Sequence, residues 1–176
     1  MKASELHNEQ ASTDFMSMIE ANGKLLHKVV NTYCFDRDEQ RDLMQDIIAA
    51  LWHAFPRYDS QRRFSTWMYR IALNVAISRV RSQVRQRRHL APMPDCVESF
   101  ADNGPTDPEL EQQVGMLHRF IATLDPLNRA LLLLYLEACP AREIAEVLGM
   151  SESNVTTRIH RLKQRIRDYI EPQGKP

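Results

Sequence analysis

The stretch "PAREIAEVLGMSESNVTTRIHRLKQRIR", residues 140 to 167, constrains the fold more tightly than any other part of the chain. Val155, Ile159, Leu162 and Ile166 recur at helical spacing, while small polar groups and cations fill most other positions. Upstream, Ile144, Ala145 and Leu148 make the inward side of a shorter helix, with Pro140 as its first residue and Gly149 as the left-handed residue that ends it. Ser151 is placed to cap the helix that follows. Two short helices joined by a tight glycine-containing turn, the second polar and basic outside, fit a helix-turn-helix whose second helix lies in the DNA major groove. On this register Ser153, Asn154, Thr157, Arg158 and Arg161 project outward. Arg165 and Arg167 lie further along and suit phosphate contact or plain solvation equally; His160 reads as surface filler.

Net charge is zero over 176 residues, but the charges are sorted along the chain. Between Arg57 and Leu90 stand Arg57, Arg62, Arg63, Arg70, Arg79, Arg81, Arg85, Arg87 and Arg88 against Asp59 alone, a net charge near plus eight. From Ala91 to Gln113 there are six carboxylates and no Lys or Arg, with prolines at 92, 94, 105 and 108 and few large apolar residues. Such a segment has no core of its own and reads as a flexible acidic linker. At roughly twenty residues it would span about 70 Å when extended, enough for its flanking units to reach separate sites on one duplex. No sustained alternation signals a strand, and glycine is sparse. The expected fold is all-α: a flexible tail at 1–12, a helical domain at 13–90, the linker at 91–113, a second helical domain at 114–171 and a tail at 172–176.

Within the first domain, Phe15 to Tyr33 gives one or two helices broken near Asn22 and Gly23. The next helix, "DEQRDLMQDIIAALWHAF", sets Leu43, Ile47, Leu51 and Phe55 on one stripe and leaves Asp38, Asp42, Gln45 and Asp46 on other faces. Those acids fit two readings, a solvated face that offsets the helix dipole or a docking surface for a basic partner. Pro56 and the following "YDS" break this helix. Ser65 is a candidate cap for the next, whose inward stripe would be Phe64, Trp67, Met68, Ile71 and Val75. Arginines and aromatics are thus interleaved around a loop. Cations bind phosphates, and unstacked bases rest on aromatic faces for about 1 to 3 kcal/mol each, so this loop suits single-stranded or melting DNA. Core packing is the alternative for Phe64 and Trp67. The arginines from Arg79 to Arg88 have no acid near them in sequence and would repel one another without a polyanion.

An enzyme needs a clustered nucleophile, an acid-base pair or a metal set. The histidines at 7, 27, 53, 89, 118 and 160 are scattered, and neither HExxH nor a phosphate-binding glycine loop occurs. Cys34, Cys96 and Cys139 form no CxxC pair and are odd in number, which points to inert thiols rather than a disulfide framework or a zinc site. No catalytic residue, metal or cofactor is expected. No apolar run reaches the length a bilayer needs, and the N-terminus "MKASELHNEQASTDF" lacks the basic and apolar regions of a secretory signal. The expected location is the cytoplasm.

Two blocks carry a family resemblance. "DLMQDIIAALWHAFPRYDSQRRFSTWMYRIALNVAISRVR" resembles region 2 of the extracytoplasmic-function (ECF) sigma factors, the small two-domain branch of the sigma-70 superfamily of bacterial transcription initiation factors. "LDPLNRALLLLYLEACPAREIAEVLGMSESNVTTRIHRLKQRIR" resembles region 4 of the same family. The helix-turn-helix alone is a weak signal, but both blocks in this order and at this spacing are highly specific.

The resemblance implies that the chain binds core RNA polymerase and directs promoter-specific transcription. It assigns Asp42, Gln45 and Asp46 to the clamp helices of the polymerase's largest subunit. It makes Tyr58, Arg62, Arg63, Phe64, Trp67, Arg70 and Asn74 candidates for opening the minus-ten element and capturing a flipped base, whose unstacking costs a few kcal/mol. It gives Ser153, Asn154, Thr157, Arg158 and Arg161 the duplex minus-thirty-five element, where an Arg on guanine or an Asn on adenine discriminates by about 1 to 3 kcal/mol. The implied partners are core polymerase, promoter DNA in duplex and melted form, and an anti-sigma factor that clamps the two domains together; no small-molecule substrate is implied. Asp46 stands where the family more often has Glu, Asp125 precedes Pro126 where Leu is usual, and Ala141-Arg142 replaces a common Tyr-Glu. Only "EPQGKP" follows the last helix, so no further C-terminal domain is expected. The rival reading is a helix-turn-helix regulator that does not dock on core polymerase, for which the acidic Gln-containing helix and the basic aromatic loop would have no use.

Overall fold

Two aspartates begin the helices that organise the core. Asp36 accepts from the N–H groups of Asp38 and Glu39, and Asp125 from those of Leu127 and Asn128, so each occupies orphan donors of a first helical turn. The computed structural model describes residues 2–87, 115–117 and 119–170, with side-chain surroundings from Ser12 onward. Its helices are α1 (Lys2–Ala21), α2 (Gly23–Tyr33), α3 (Arg37–Ala54), α4 (Phe64–Arg87), α5 (Pro126–Leu136), α6 (Ala141–Leu148) and α7 (Glu152–Ile170), with a 3-10 turn at Phe55–Arg57. Among the described residues there is no strand. The fold is all-α, in two helical units, α1–α4 and α5–α7 with a short helical stretch at 119–122 before α5. The expected linker at 91–113 and the tail at 172–176 lie outside the described residues.

Several local expectations shift. Residues 2–12, expected as a flexible tail, continue α1. Glu5, Leu6, Glu9, Gln10 and Ala11 are good helix formers, and no Gly or Pro intervenes before Gly23. The expected break near Asn22 is present: the Asn22 amide donates to the Met18 carbonyl at 2.8 Å where α1 gives way to α2. Ser65 is not the cap of α4, because the helix already begins at Phe64 and the Trp67 N–H donates to the Arg63 carbonyl. Pro140 stands one residue outside α6 as its cap.

Of the expected stripe on α3, Leu43, Ile47 and Leu51 are fully covered, while Phe55 falls in the 3-10 turn after the helix and is half-buried. On α4 the expected stripe is displaced. Only Met68 of it is fully buried, and the deep positions are Thr66, Tyr69, Ala72, Leu73, Ala76 and Ile77. The cause is that α4 packs against α2 and α3 on one side and against α5 and α6 on the other, so apolar residues are needed around most of its circumference. In the second unit, Gly149 adopts φ +66°, the left-handed conformation that stops α6, and the Asn154 N–H donates to the Ser151 hydroxyl at 3.3 Å. Val155 and Leu162 of α7 and Ile144 and Val147 of α6 are buried beneath Leu131 and Leu134 of α5 in a single core that also holds α2, α3 and α4.

The two units are therefore packed together. Tyr33 of α2 donates its hydroxyl to the Pro126 carbonyl at 2.6 Å, and burial raises its pKa far above the ordinary tyrosine value. Lys28 of α2 pairs with Glu137 after α5 at 2.6 Å. Cys34 is buried with its thiol pushed up to about 11 by burial, and Cys139 is shifted in the same direction for the same reason.

Candidate nucleic-acid interface

Helix α3 exposes Asp42, Gln45 and Asp46 at i, i+3 and i+4, one surface beside the buried stripe. Arg79 of α4 joins this surface: its guanidinium donates to Asp46 Oδ2 at 2.9 Å and lies 3.7 Å from Asp42 Oδ2. Sequence reading grouped Arg79 with unpaired arginines, and this is corrected, since two acids from another helix flank it. No linear signal reveals the pair, because the partners lie 33 residues apart for the bonded acid.

Next to Arg79, the exposed Asn74 lines a shallow groove of about 560 Å³ with Asp46, Val75, Ser78, Arg79 and Ser82. Asp46 of α3 and the Asn74 amide thus share one groove, and Arg79 within it also reaches Asp42. Arg70, one turn before Asn74, is also exposed. On the other side of Gln45 an apolar groove of about 390 Å³ runs between α1 and α3, lined by Phe15, Met16, Ile48, Ala49 and Trp52.

The loop between the 3-10 turn and α4 is built on an aromatic cluster. Tyr58, Phe64 and Trp67 have ring centroids 5.0 to 5.3 Å apart, and Phe55 stacks on Tyr58 at 6.2 Å. All four are half-buried. The Tyr58 hydroxyl donates to the Arg62 carbonyl at 2.7 Å, which pins the loop and leaves Arg62 and Arg63 exposed at its rim. The packing alternative for Phe64 and Trp67 is met in part: their rings lie against one another and against the core, and both stay half-buried. Thr66, missed in the sequence, is buried and donates to Glu143 of α6.

On α7, Ser153, Asn154, Thr157 and Arg161 are exposed and Arg158 is partly so. Arg158 Nε donates to Asn154 Oδ1 at 3.0 Å, and the Thr157 hydroxyl donates to the Ser153 carbonyl at 2.9 Å, so these groups are preordered on one face. Arg165 and Arg167 are exposed further along. Among the described residues no group of His, Cys, Asp and Glu is arranged to hold a metal ion, and no helix is long and apolar enough to cross a membrane.

The family model for sigma-70 region 2 matches residues 18–86, and that for sigma-70 region 4 matches residues 115–166. The chain is 28% identical over 169 residues to the RNA polymerase sigma factor CnrH of Cupriavidus metallidurans, covering 92% of this chain and 88% of that protein. It is 26% identical over 141 residues to the ECF RNA polymerase sigma factor SigW of Bacillus subtilis, covering 75% of each. Its fold matches that of the sigma factor RpoE, solved with the anti-sigma factor NepR from Bartonella quintana, with a TM-score of 0.73 at 16% identity over 90% of this chain and 97% of that one. The chain belongs to the sigma-70 family, in its extracytoplasmic-function branch. It is a transcription initiation factor that joins core RNA polymerase and directs it to promoters.

Proposed function

We propose that Asp42, Gln45 and Asp46 dock the chain on core RNA polymerase, that the Tyr58–Asn74 segment opens the minus-ten element, and that α7 reads the minus-thirty-five element. In this reading Asp42, Gln45 and Asp46 meet basic groups of the polymerase clamp. Arg62, Arg63 and Arg70 neutralise phosphates of the melting strand, Tyr58, Phe64 and Trp67 offer ring faces, and Asn74 presents an amide to an extruded base. Ser153, Asn154, Thr157, Arg158 and Arg161 enter the major groove of the upstream element. The domain limits are 13–90 and 114–171, joined through 91–113.

The observation that supports this reading is the adjacency of Asp46 and Asn74 in a single groove, where Arg79 pairs with Asp46 and also reaches Asp42. A factor that must be held by polymerase while it holds an unpaired base needs both surfaces on rigid, neighbouring helices, and α3 and α4 are packed along each other. A regulator that only binds duplex DNA would have no use for either.

The chain acts by binding, without catalysis or cofactor, and works in the cytoplasm where polymerase and promoters are. The RpoE structure contains an anti-sigma factor, and a protein inhibitor of that kind is the proposed regulator of this chain as well. Asp42→Arg with Asp46→Arg tests the docking assignment. Affinity for core enzyme is expected to fall at least tenfold with unchanged helical circular dichroism, because each substitution places a cation against a basic partner. Unchanged affinity would remove these residues from the contact.

A further inference from the structure

The outward side chains at the start of α7 do not act independently of one another. Arg158 Nε donates to Asn154 Oδ1 at 3.0 Å, across one turn of the helix. A guanidinium has donors and no acceptor, so this bond sets the Asn154 amide with its oxygen toward Arg158 and its nitrogen away from it. Asn154 stands in the first turn of α7, where its N–H donates to the Ser151 hydroxyl at 3.3 Å. Arg158 is thereby held back toward the first turn, the part of a recognition helix that meets base edges. Arg62 and Arg79 are engaged by carboxylates, whereas the group that holds Arg158 is a neutral amide oxygen, which leaves its charge for another partner.

The bond changes what each side chain offers to a duplex. An asparagine reads adenine edge-on, its oxygen accepting from N6–H and its nitrogen donating to N7. In Asn154 that oxygen already accepts from a cation, and a charge-assisted bond is the stronger competitor for it. For Arg158, the bond through Nε leaves both Nη groups as the planar fork that matches O6 and N7 of one guanine. An arginine already held in one rotamer also loses less freedom when it binds.

We propose that Asn154 is a positioning residue and not a base reader: it aims Arg158, and the pair together reads one guanine of the upstream element. This rests on the reading of α7 as the minus-thirty-five helix. Each of these two residues could read a base alone, Asn154 an adenine and Arg158 a guanine; coupled, they read a single base and set no adenine preference.

The test uses holoenzyme assembled from core RNA polymerase and the full-length chain, bound to promoter duplexes whose upstream element is randomised, with bound and input DNA sequenced. Base preference is a ratio within one bound pool, so a uniform change in phosphate attraction cancels. The native chain is expected to prefer guanine at one position by at least about fivefold, and Arg158→Ala to erase that preference. Asn154→Ala is expected to lower the same preference by about threefold and to leave the other positions unchanged. Asn154→Asp keeps the acceptor but lacks the amide donor, and is expected to restore the native preference to within about twofold. The inference is overturned if Asn154→Ala instead removes an adenine preference at another position, or if Asn154→Asp behaves like Asn154→Ala. It is overturned equally if Arg158→Ala weakens all sequences alike, as loss of a phosphate contact does. In these three cases the native base preferences persist and the reading of α7 stands. A native holoenzyme without preference at any randomised position would remove α7 from the element and the inference with it.

Discussion

Arg79 reaches Asp46 at 2.9 Å and Asp42 at 3.7 Å, so one guanidinium ties the proposed docking acids to the helix that carries Asn74. Each acid engages it through Oδ2, leaving Oδ1 free to accept from another donor. At this scale the informative substitution is Asn74→Ala. It removes an exposed amide from the groove without opening the core, so folding stability is expected to change by no more than about 0.5 kcal/mol. Open-complex formation, followed by permanganate reactivity of unpaired thymines, is expected to fall about tenfold while binding to an isolated minus-thirty-five duplex is unchanged; equal losses on both would take Asn74 out of the base pocket. Which side chains are exposed was largely readable from periodicity: Asp42, Gln45, Asp46, Ser153, Asn154, Thr157 and Arg161 all lie where helical spacing puts them. The Arg79 pair was not, because an ion pair between two helices leaves no mark in the local charge pattern of either.

Helix starts and stops were legible where a backbone requirement fixes the residue type. Gly149 is the clearest instance, since its φ of +66° penalises any Cβ even though no neighbouring atom lies within 4 Å of where one would stand. Gly149→Ala is therefore expected to cost about 1 to 2 kcal/mol from backbone conformation alone, lowering the thermal midpoint by a few degrees. A loss of upstream duplex binding beyond that expected from unfolding would show that the turn angle itself is disturbed. A midpoint equal to the native value would mean that the turn relaxes out of the left-handed region. Legibility fails on α4. An amphipathic reading assumes one buried face, whereas α4 is covered by α2 and α3 on one side and by α5 and α6 on another, which moves the deep positions to Thr66, Tyr69, Leu73 and Ala76. The early start of α1 was missed because helix formers such as Glu5, Glu9 and Gln10 with few large apolar residues resemble a solvated tail in sequence.

At the scale of the molecule, the division into two helical units was readable from composition alone, since a basic aromatic segment and a helix-turn-helix flank an acidic, proline-rich stretch. Their mutual placement was not. A chain of that length between them permits many arrangements, and the choice is made by contacts such as Tyr33 with Pro126 and Thr66 with Glu143, which join residues 93 and 77 positions apart. The proposed docking acids, Asn74 and the outward face of α7 nevertheless fall on helices, while Tyr58, Arg62 and Arg63 lie in the loop that leads into α4. The central claim is that this chain makes core polymerase start at promoters of its own. Transcription in vitro from fragmented genomic DNA, with core RNA polymerase in the presence and absence of the chain and with every new RNA start mapped, tests it most directly. The account predicts starts that depend on the chain and share two short upstream motifs. An absence of such starts, with folded protein bound to active core, would contradict it.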